Sequence, residues 1–301
     1  MANPMRTIGF IGMGVLGKGL GLALATRGYP VVAIHSRTRS SAHWLADRIP
    51  KCQVLESAQE LANAVDMVFI TTPDSAISEV ASSITWRPDQ GAVHCSGALP
   101  VSILHPAFQQ SVAIGSFHPF QTFAGINGPE DAVSRLSGVT FAISATVWLN
   151  RYLTKLALEL GGFPVYISDE DRPLYHASAV LSCGYLVSLL QSAISIWETF
   201  GASPQDAMKA IYPLARTTLD NMANHGAQSS VTGPVVRGDA ATIQSHLESL
   251  SHRAPEFLSV YQAMTQASFP FAAESGVTQT QLAAMRELID QYDRRSGECR
   301  E

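Results

Sequence analysis

The sequence predicts an α/β domain with a mostly parallel, doubly wound sheet over residues 1–168, followed by an all-α domain over residues 169–301. Three observations predict it. Apolar runs of strand length alternate with helical patterns through the first half. A glycine-rich turn, Gly12-Met13-Gly14-Val15-Leu16-Gly17, joins the first strand to the first helix. After about Asp169 only capped helical segments remain. A chain of 301 residues has room for two such cores.

The elements follow in order. Thr7 to Ile11 is an apolar run of buried-strand length, and Gly19 to Ala25 reads as a helix packed closely on a sheet. Tyr29 to Ile34 is the second strand. Ser57-Ala-Gln-Glu60 is a capping box opening a short helix. Further strands are expected at Asp66 to Pro73, Gly91 to Gly97, Val112 to Phe117, Val139 to Ser144 and Phe163 to Ser168. Strands alternating with helices imply right-handed crossovers and a ligand cleft beyond the strands' carboxyl ends. Pro73-Asp74, Ser96-Gly97 and His118-Pro119 all follow strands and are expected to line it.

In the second half, Ser168 with Asp171 is expected to cap a long apolar helix, with Pro173 restraining its start. Ser203-Pro204 is an N-cap followed by proline at the first helical position, Asp239 caps another helix, and Thr278 to Gln281 is a second capping box. The last helix runs into a charged tail, Asp290 to Glu301. Pro173 to Trp197 contains no Asp, Glu, Lys or Arg and is long enough to span a bilayer. It also carries His176, Gln191 and five serines, so a helix buried at a domain or subunit interface is expected rather than a membrane span.

The balance of 20 basic and 25 acidic residues shows no basic tract for nucleic acid. Four cysteines (Cys52, Cys95, Cys183 and Cys299) are dispersed, without CxxC or Cys/His metal spacing. That fits a reducing cytoplasm, with neither disulfide framework nor metal site. The chain enters a strand within a few residues, so no signal peptide is expected.

The glycine turn carries the strongest functional signal. In a strand–turn–helix context, the first glycine permits the bend, the second admits a pyrophosphate to the backbone, and the third lets helix and strand pack closely. The helix N-terminus supplies free N–H groups and a positive dipole end to the anion. About 20 residues further on, an acid would bond the ribose hydroxyls of a dinucleotide lacking a 2′-phosphate. Here Ser36, Arg37, Thr38 and Arg39 follow the second strand with no acid among them. A hydroxyl and two guanidinium groups suit a dianionic phosphate, so NADP(H) is the expected cofactor. Gly12 to Gly17, Ser36 to Arg39, Thr72, Pro73, Ser96 and Gly97 are the expected cofactor contacts, with His35 beside the phosphate.

A Rossmann domain followed by an all-helical domain resembles the superfamily of 6-phosphogluconate dehydrogenase, ketopantoate reductase and pyrroline-5-carboxylate reductase. It is more closely similar to a family of Rossmann-like proteins, named by homology as NADP oxidoreductases, whose helical domain is labelled as of unknown function. The residues carrying that resemblance are Gly12 to Gly17, Ser36-Arg37, Val93 to Leu99, Gly115 to Phe123, Tyr175-His176-Ala177 and Thr232 to Asp239. It implies a homodimer paired through the helical domain. Where the family's long helix is expected to carry Asn shortly before Tyr-Leu-Val, this chain has Gly184-Tyr185-Leu186-Val187.

Hydride transfer requires a proton donor near the reacting carbonyl or imine. In the related hydroxyacid dehydrogenases and ketopantoate reductase that group is a helix lysine. Here the lysines are Lys18, Lys51, Lys155 and Lys209, none of them in the long helix. His176 is the first candidate instead, with Val180, Cys183, Gly184 and Val187 expected on its helix face. His118 is the second, although His-Pro-Phe also reads as a rigid turn. Gly184 leaves room for substrate. Arg237 can hold a substrate carboxylate or pair with an acid such as Asp239. The expected function is NADPH-dependent reduction of a small carbonyl or imine, a 2-keto acid among the candidates. The alternatives are an NADP-dependent dehydrogenase of a hydroxy or amino acid, and a non-catalytic nucleotide sensor or partner-binding protein.

Overall fold

In the computed structural model, residues 5–125 and 129–298 are described. Cys299 and the last residues of the charged tail lie outside them. Eight strands form one sheet in the order β3-β2-β1-β4-β5-β6-β7-β8. They are β1 (Ile8–Ile11), β2 (Val31–His35), β3 (Gln53–Val54), β4 (Met67–Ile70), β5 (Gly91–His94), β6 (Ala113–Pro119), β7 (Thr140–Ala145) and β8 (Phe163–Tyr166). All neighbours pair in parallel except β6 and β7, where Phe117 faces Ile143 and His118 faces Ala142. Helices α1 (Val15–Thr26), α2 (Arg39–Ala46), α3 (Ala58–Ala64) and α4 (Asp74–Ser83) provide the first crossovers.

Period-two alternation divides the core between the sheet's faces. On β4, Met67 and Phe69 join one cluster, while Val68 and Ile70 join the other. Phe10, Phe69, Phe117 and Phe141 form an aromatic ladder across the first face, with successive ring centroids 5.2, 6.3 and 4.5 Å apart. From β1 the chain winds first through β2 to β3, then returns through β4. This reversal opens a crevice between the carboxyl ends of β1 and β4.

The chain divides into two compact units, Met1–Cys183 and Gly184–Glu301. The division falls inside the long helix rather than at 168/169, because the helix's first turns are tied to the sheet. Arg172 bonds Ser96, Ser116 and Ser144, and Tyr175 bonds His118. The second unit is all-helical among its described residues. Ser203, Asp239 and Thr278 accept from the backbone N–H of Asp206, Thr242 and Gln281, as their capping patterns predict. Ser168 and Asp171 behave differently: they bond each other in a turn ahead of the helix, whose first residue is Arg172.

Candidate active site

A cleft of about 750 Å³ lies at the carboxyl edge of the sheet, lined from β1 by Gly12 to Leu16, from β2 by His35 to Thr38 and from β4 by Thr71 to Asp74. Cys95 and Ser96 contribute from β5. The three glycines take the separate roles their spacing implies. Gly12 has φ +95°, and a Cβ there would stand 2.7 Å from the Thr72 backbone nitrogen. A Cβ at Gly17 would meet the Gly12 carbonyl oxygen at 2.5 Å, so this glycine sets the close approach of α1 to the turn. A Cβ at Gly14 would meet nothing within 4 Å: this is the open edge of the turn, at the N-cap of α1. No side chain caps that helix end and no acid occupies its first turn, leaving its N–H groups to an anion.

Arg37 lines the cleft and forms no ion pair among the described residues. Arg39 does not line it, because its guanidinium pairs with Glu56 at the surface. The phosphate argument therefore rests on Ser36, Arg37 and Thr38, joined by His35, whose Nδ1–H donates to the Leu55 carbonyl at 3.0 Å. Thr72 lines the cleft with a buried hydroxyl that has no hydrogen-bond partner among the described residues. A buried hydroxyl without a partner is costly unless something binds it. Together, the unsatisfied hydroxyl, the open Gly14 edge and the unpaired guanidinium fit a phosphorylated dinucleotide.

Beyond Ser96 the two predicted histidines converge. A Cβ at Gly97 would stand 2.8 Å from His118 Nε2 and 3.0 Å from His176 Cδ2, so both rings close on one backbone position. His118 sits within β6 rather than in a turn after it. Its Nδ1 lies 2.7 Å from the Tyr175 hydroxyl, with the rings edge-to-face. Burial, then the neighbouring His176 and Arg172, push the His118 imidazole down to about 4. Burial raises the Tyr175 phenol to about 12. Ser96 joins this group to the cleft: its hydroxyl donates to Asp74 at 2.6 Å and accepts from the Ala98 and Leu99 N–H groups.

Sequence reasoning gave no role to Arg172 and named Tyr175 only among the residues carrying the family resemblance. Arg172 is fully buried, donates to the Ser116 and Ser144 hydroxyls and the Ser96 carbonyl, and lies 3.7 Å from Asp169. Asp169 in turn accepts from the Val101 and Ser102 N–H groups. The one signal available was a lone arginine opening an otherwise uncharged helix. Residues Leu181–Tyr185 form a π-helical turn, an interruption of the α-helical period on which the expected face beyond Val180 was drawn. A Cβ at Gly184 would meet nothing within 4 Å, and Arg237 is exposed at a short 3₁₀ turn. Asp239 is occupied capping its helix through Thr242 and forms no ion pair with Arg237 among the described residues.

This sheet order, glycine turn and helical second unit define a Rossmann-like domain joined to an all-α domain. Family comparison makes the assignment specific: residues 1–119 match the Rossmann-like domain, and residues 139–268 match a domain of unknown function, DUF2520. The chain combines these two domains. No curated protein matches it in sequence. Among solved structures it is similar to BF3122 of Bacteroides fragilis, provisionally named an NADP oxidoreductase, with 24% identity and TM-score 0.70 over 88% of this chain and 98% of that one. A reductive aminase from Aspergillus terreus, solved with NADPH and ethyl-5-oxohexanoate, matches at 12% identity and TM-score 0.59, over 97% and 94% of the two chains. The 1-pyrroline-5-carboxylate reductase of Streptococcus pyogenes matches at 15% identity and TM-score 0.57, over 95% and 98%. At these identities the likeness establishes a shared fold.

Proposed function

We propose that this protein is a cytoplasmic, homodimeric NADPH-dependent oxidoreductase that reduces a small carbonyl or imine compound, 2-keto acids included. The observation that carries the reading is the convergence of His118 and His176 on Gly97, next to a cleft whose open glycine edge and unpaired Arg37 suit a dinucleotide phosphate. The backbone N–H groups after Gly14 would hold the pyrophosphate, Ser36, Arg37 and Thr38 the 2′-phosphate, and Thr72, Pro73 and Ser96 the nicotinamide side. Bound NADPH supplies the hydride.

The protein's own residues then do two things. They orient the acceptor carbon by holding its oxygen or nitrogen over Gly97, and they furnish a proton. His176, half-exposed in the second turn of its helix, carries the proton in from solvent. His118, deeper and neutral, serves as a hydrogen-bonding partner.

Calorimetric titration with NADPH and NADH tests the cofactor half. NADPH is expected to bind more tightly, and Arg37→Ala to weaken it by ~10–100-fold while leaving NADH unchanged. A panel of ketones, 2-keto acids and cyclic imines tests the rest, with His176→Ala and His118→Ala each lowering turnover by ~10²-fold or more. Binding of neither nucleotide would overturn the reading. Robust NADP⁺ reduction with no activity on carbonyls or imines would favour an oxidative dehydrogenase instead.

A further inference from the structure

Tyr175 lies one residue before His176, and its ring packs against His118 and Phe120. Its hydroxyl is 2.7 Å from His118 Nδ1, its ring centroid is 5.4 Å from that of Phe120 at a tilted angle, and one helical turn earlier Arg172 bonds Ser96, Ser116 and Ser144. The bond to His118 could run in either direction, because a hydroxyl donates and accepts and either imidazole nitrogen can carry the proton. Chemistry selects one. A phenol is the stronger acid and the weaker base of the two, so its O–H donates and Nδ1 accepts. His118 is neutral at physiological pH, and its single proton then resides on Nε2. That atom is the ring atom nearest Gly97, whose lack of a Cβ is what lets the ring come this close beside His176.

We propose that Tyr175 is a positioning residue that holds His118 with its proton on Nε2, making this N–H the hydrogen-bond donor to the substrate's acceptor atom over Gly97. The inference rests on the reductase reading and narrows its substrate class. A ketone, aldehyde or 2-keto acid offers a carbonyl oxygen that accepts this bond and gains negative charge as hydride adds to the carbon. A protonated iminium ion presents its own N–H and cannot accept. Nε2–H stabilises the developing oxyanion, and the alkoxide takes its proton from His176, which completes the addition of hydride and proton to the carbonyl.

The test is ¹⁵N NMR of the full chain labelled at histidine, with the His118 ring assigned by the loss of its signals in His118→Asn. The expected spectrum has a pyridine-type Nδ1 and a pyrrole-type Nε2. Tyr175→Phe keeps the ring packing and removes the hydroxyl. It should convert the spectrum to a mixture of tautomers and lower kcat for ketones on the order of tenfold, with the KM for NADPH unchanged. A proton on Nδ1 in the native protein, or a tautomer that survives Tyr175→Phe, overturns the proposal. Faster turnover of a permanently charged iminium than of the matching ketone overturns the substrate class. Failure to bind NADPH overturns the reductase reading and the donor role with it, whereas an unlocked tautomer in a protein that binds NADPH overturns this inference alone.

Discussion

Gly97→Ala adds one methyl group at the point where the site is tightest. That carbon would sit 2.8 Å from His118 Nε2, 2.9 Å from His118 Cε1 and 3.0 Å from His176 Cδ2. Non-bonded atoms rest at roughly 3.5–4.0 Å, so the two rings must retreat by roughly 0.5–1 Å. His118 has little freedom to do so. Its backbone in β6 is paired to Ala142 of β7, and its Nδ1 is held by Tyr175. Gly97 is not among the glycines with positive φ, so the effect is steric rather than conformational. Overpacking of this size costs about 1–3 kcal/mol of stability. Displacing catalytic groups by about 1 Å costs up to ~10²-fold in rate. Gly97 does not line the cleft proposed to hold NADPH, so NADPH affinity should change by less than about threefold. Steady-state kinetics on a reduced carbonyl, with NADPH titration and a thermal melt, separate these effects. A folded variant with wild-type kcat would refute the placement of the chemistry over Gly97.

Other expectations follow from the same geometry. Arg172→Met removes the donor shared by the Ser116 and Ser144 hydroxyls and the Ser96 carbonyl. It should cost about 3 kcal/mol, read as a lower urea midpoint at unchanged slope; a loss under about 0.5 kcal/mol would show the network to be inert. Acid stability has a definite sign. Burial holds His94 at about 3 and His118 at about 4, both below the ordinary histidine value, so between about pH 6.5 and pH 4 the unfolded chain binds protons that the folded chain refuses. Stability should fall as pH falls through that window, by up to ~1.4 kcal/mol per pH unit for each ring, and His118→Asn should remove one such contribution. An unchanged slope in that variant would place the His118 ring in a solvated setting.

What was legible in the sequence was what depends on neighbours along the chain. The glycine turn, the caps at Ser57, Ser203, Asp239 and Thr278, and the strand runs all act within a few residues, and all appear in the fold. Arg172 and Tyr175 were not legible, because their importance comes from Ser116, Ser144 and His118, which lie 56, 28 and 57 residues away in the chain. Arg39 illustrates the same limit in reverse: its sequence neighbours suggested a phosphate ligand, and Glu56 in the next connection takes it instead. Periodicity gave no sign of the π turn at Leu181–Tyr185, which leaves no mark in composition.

The long helix poses the remaining problem. Its helical backbone runs from Arg172 to Glu198 with a mean hydropathy of 1.7 in its most apolar window, only 6% of which is buried. By length and composition it could cross a membrane. The adjoining helix Pro204–His225 argues for a different cover. It packs on Leu186–Glu198 through Ile194, Ala207 and Ile211, and it leaves Met208, Tyr212, Leu219 and Met222 exposed along one stripe. Lys209, Arg216 and Asp220 lie on the same two-helix hairpin, with Arg216 facing Asp220 at 3.8 Å. Charged side chains at such positions are costly in hydrocarbon, whereas the rim of a protein interface accommodates them. The expected cover is a second copy of the chain. Burying a leucine is worth about 1.5–3 kcal/mol, and two symmetry-related copies of residue 219 would both be affected. Leu219→Arg should therefore weaken the dimer by ~10²-fold or more in Kd, read by sedimentation velocity across a concentration series. A wild-type chain that stays monomeric at high concentration yet floats with lipid vesicles would assign the stripe to a membrane and refute the pairing.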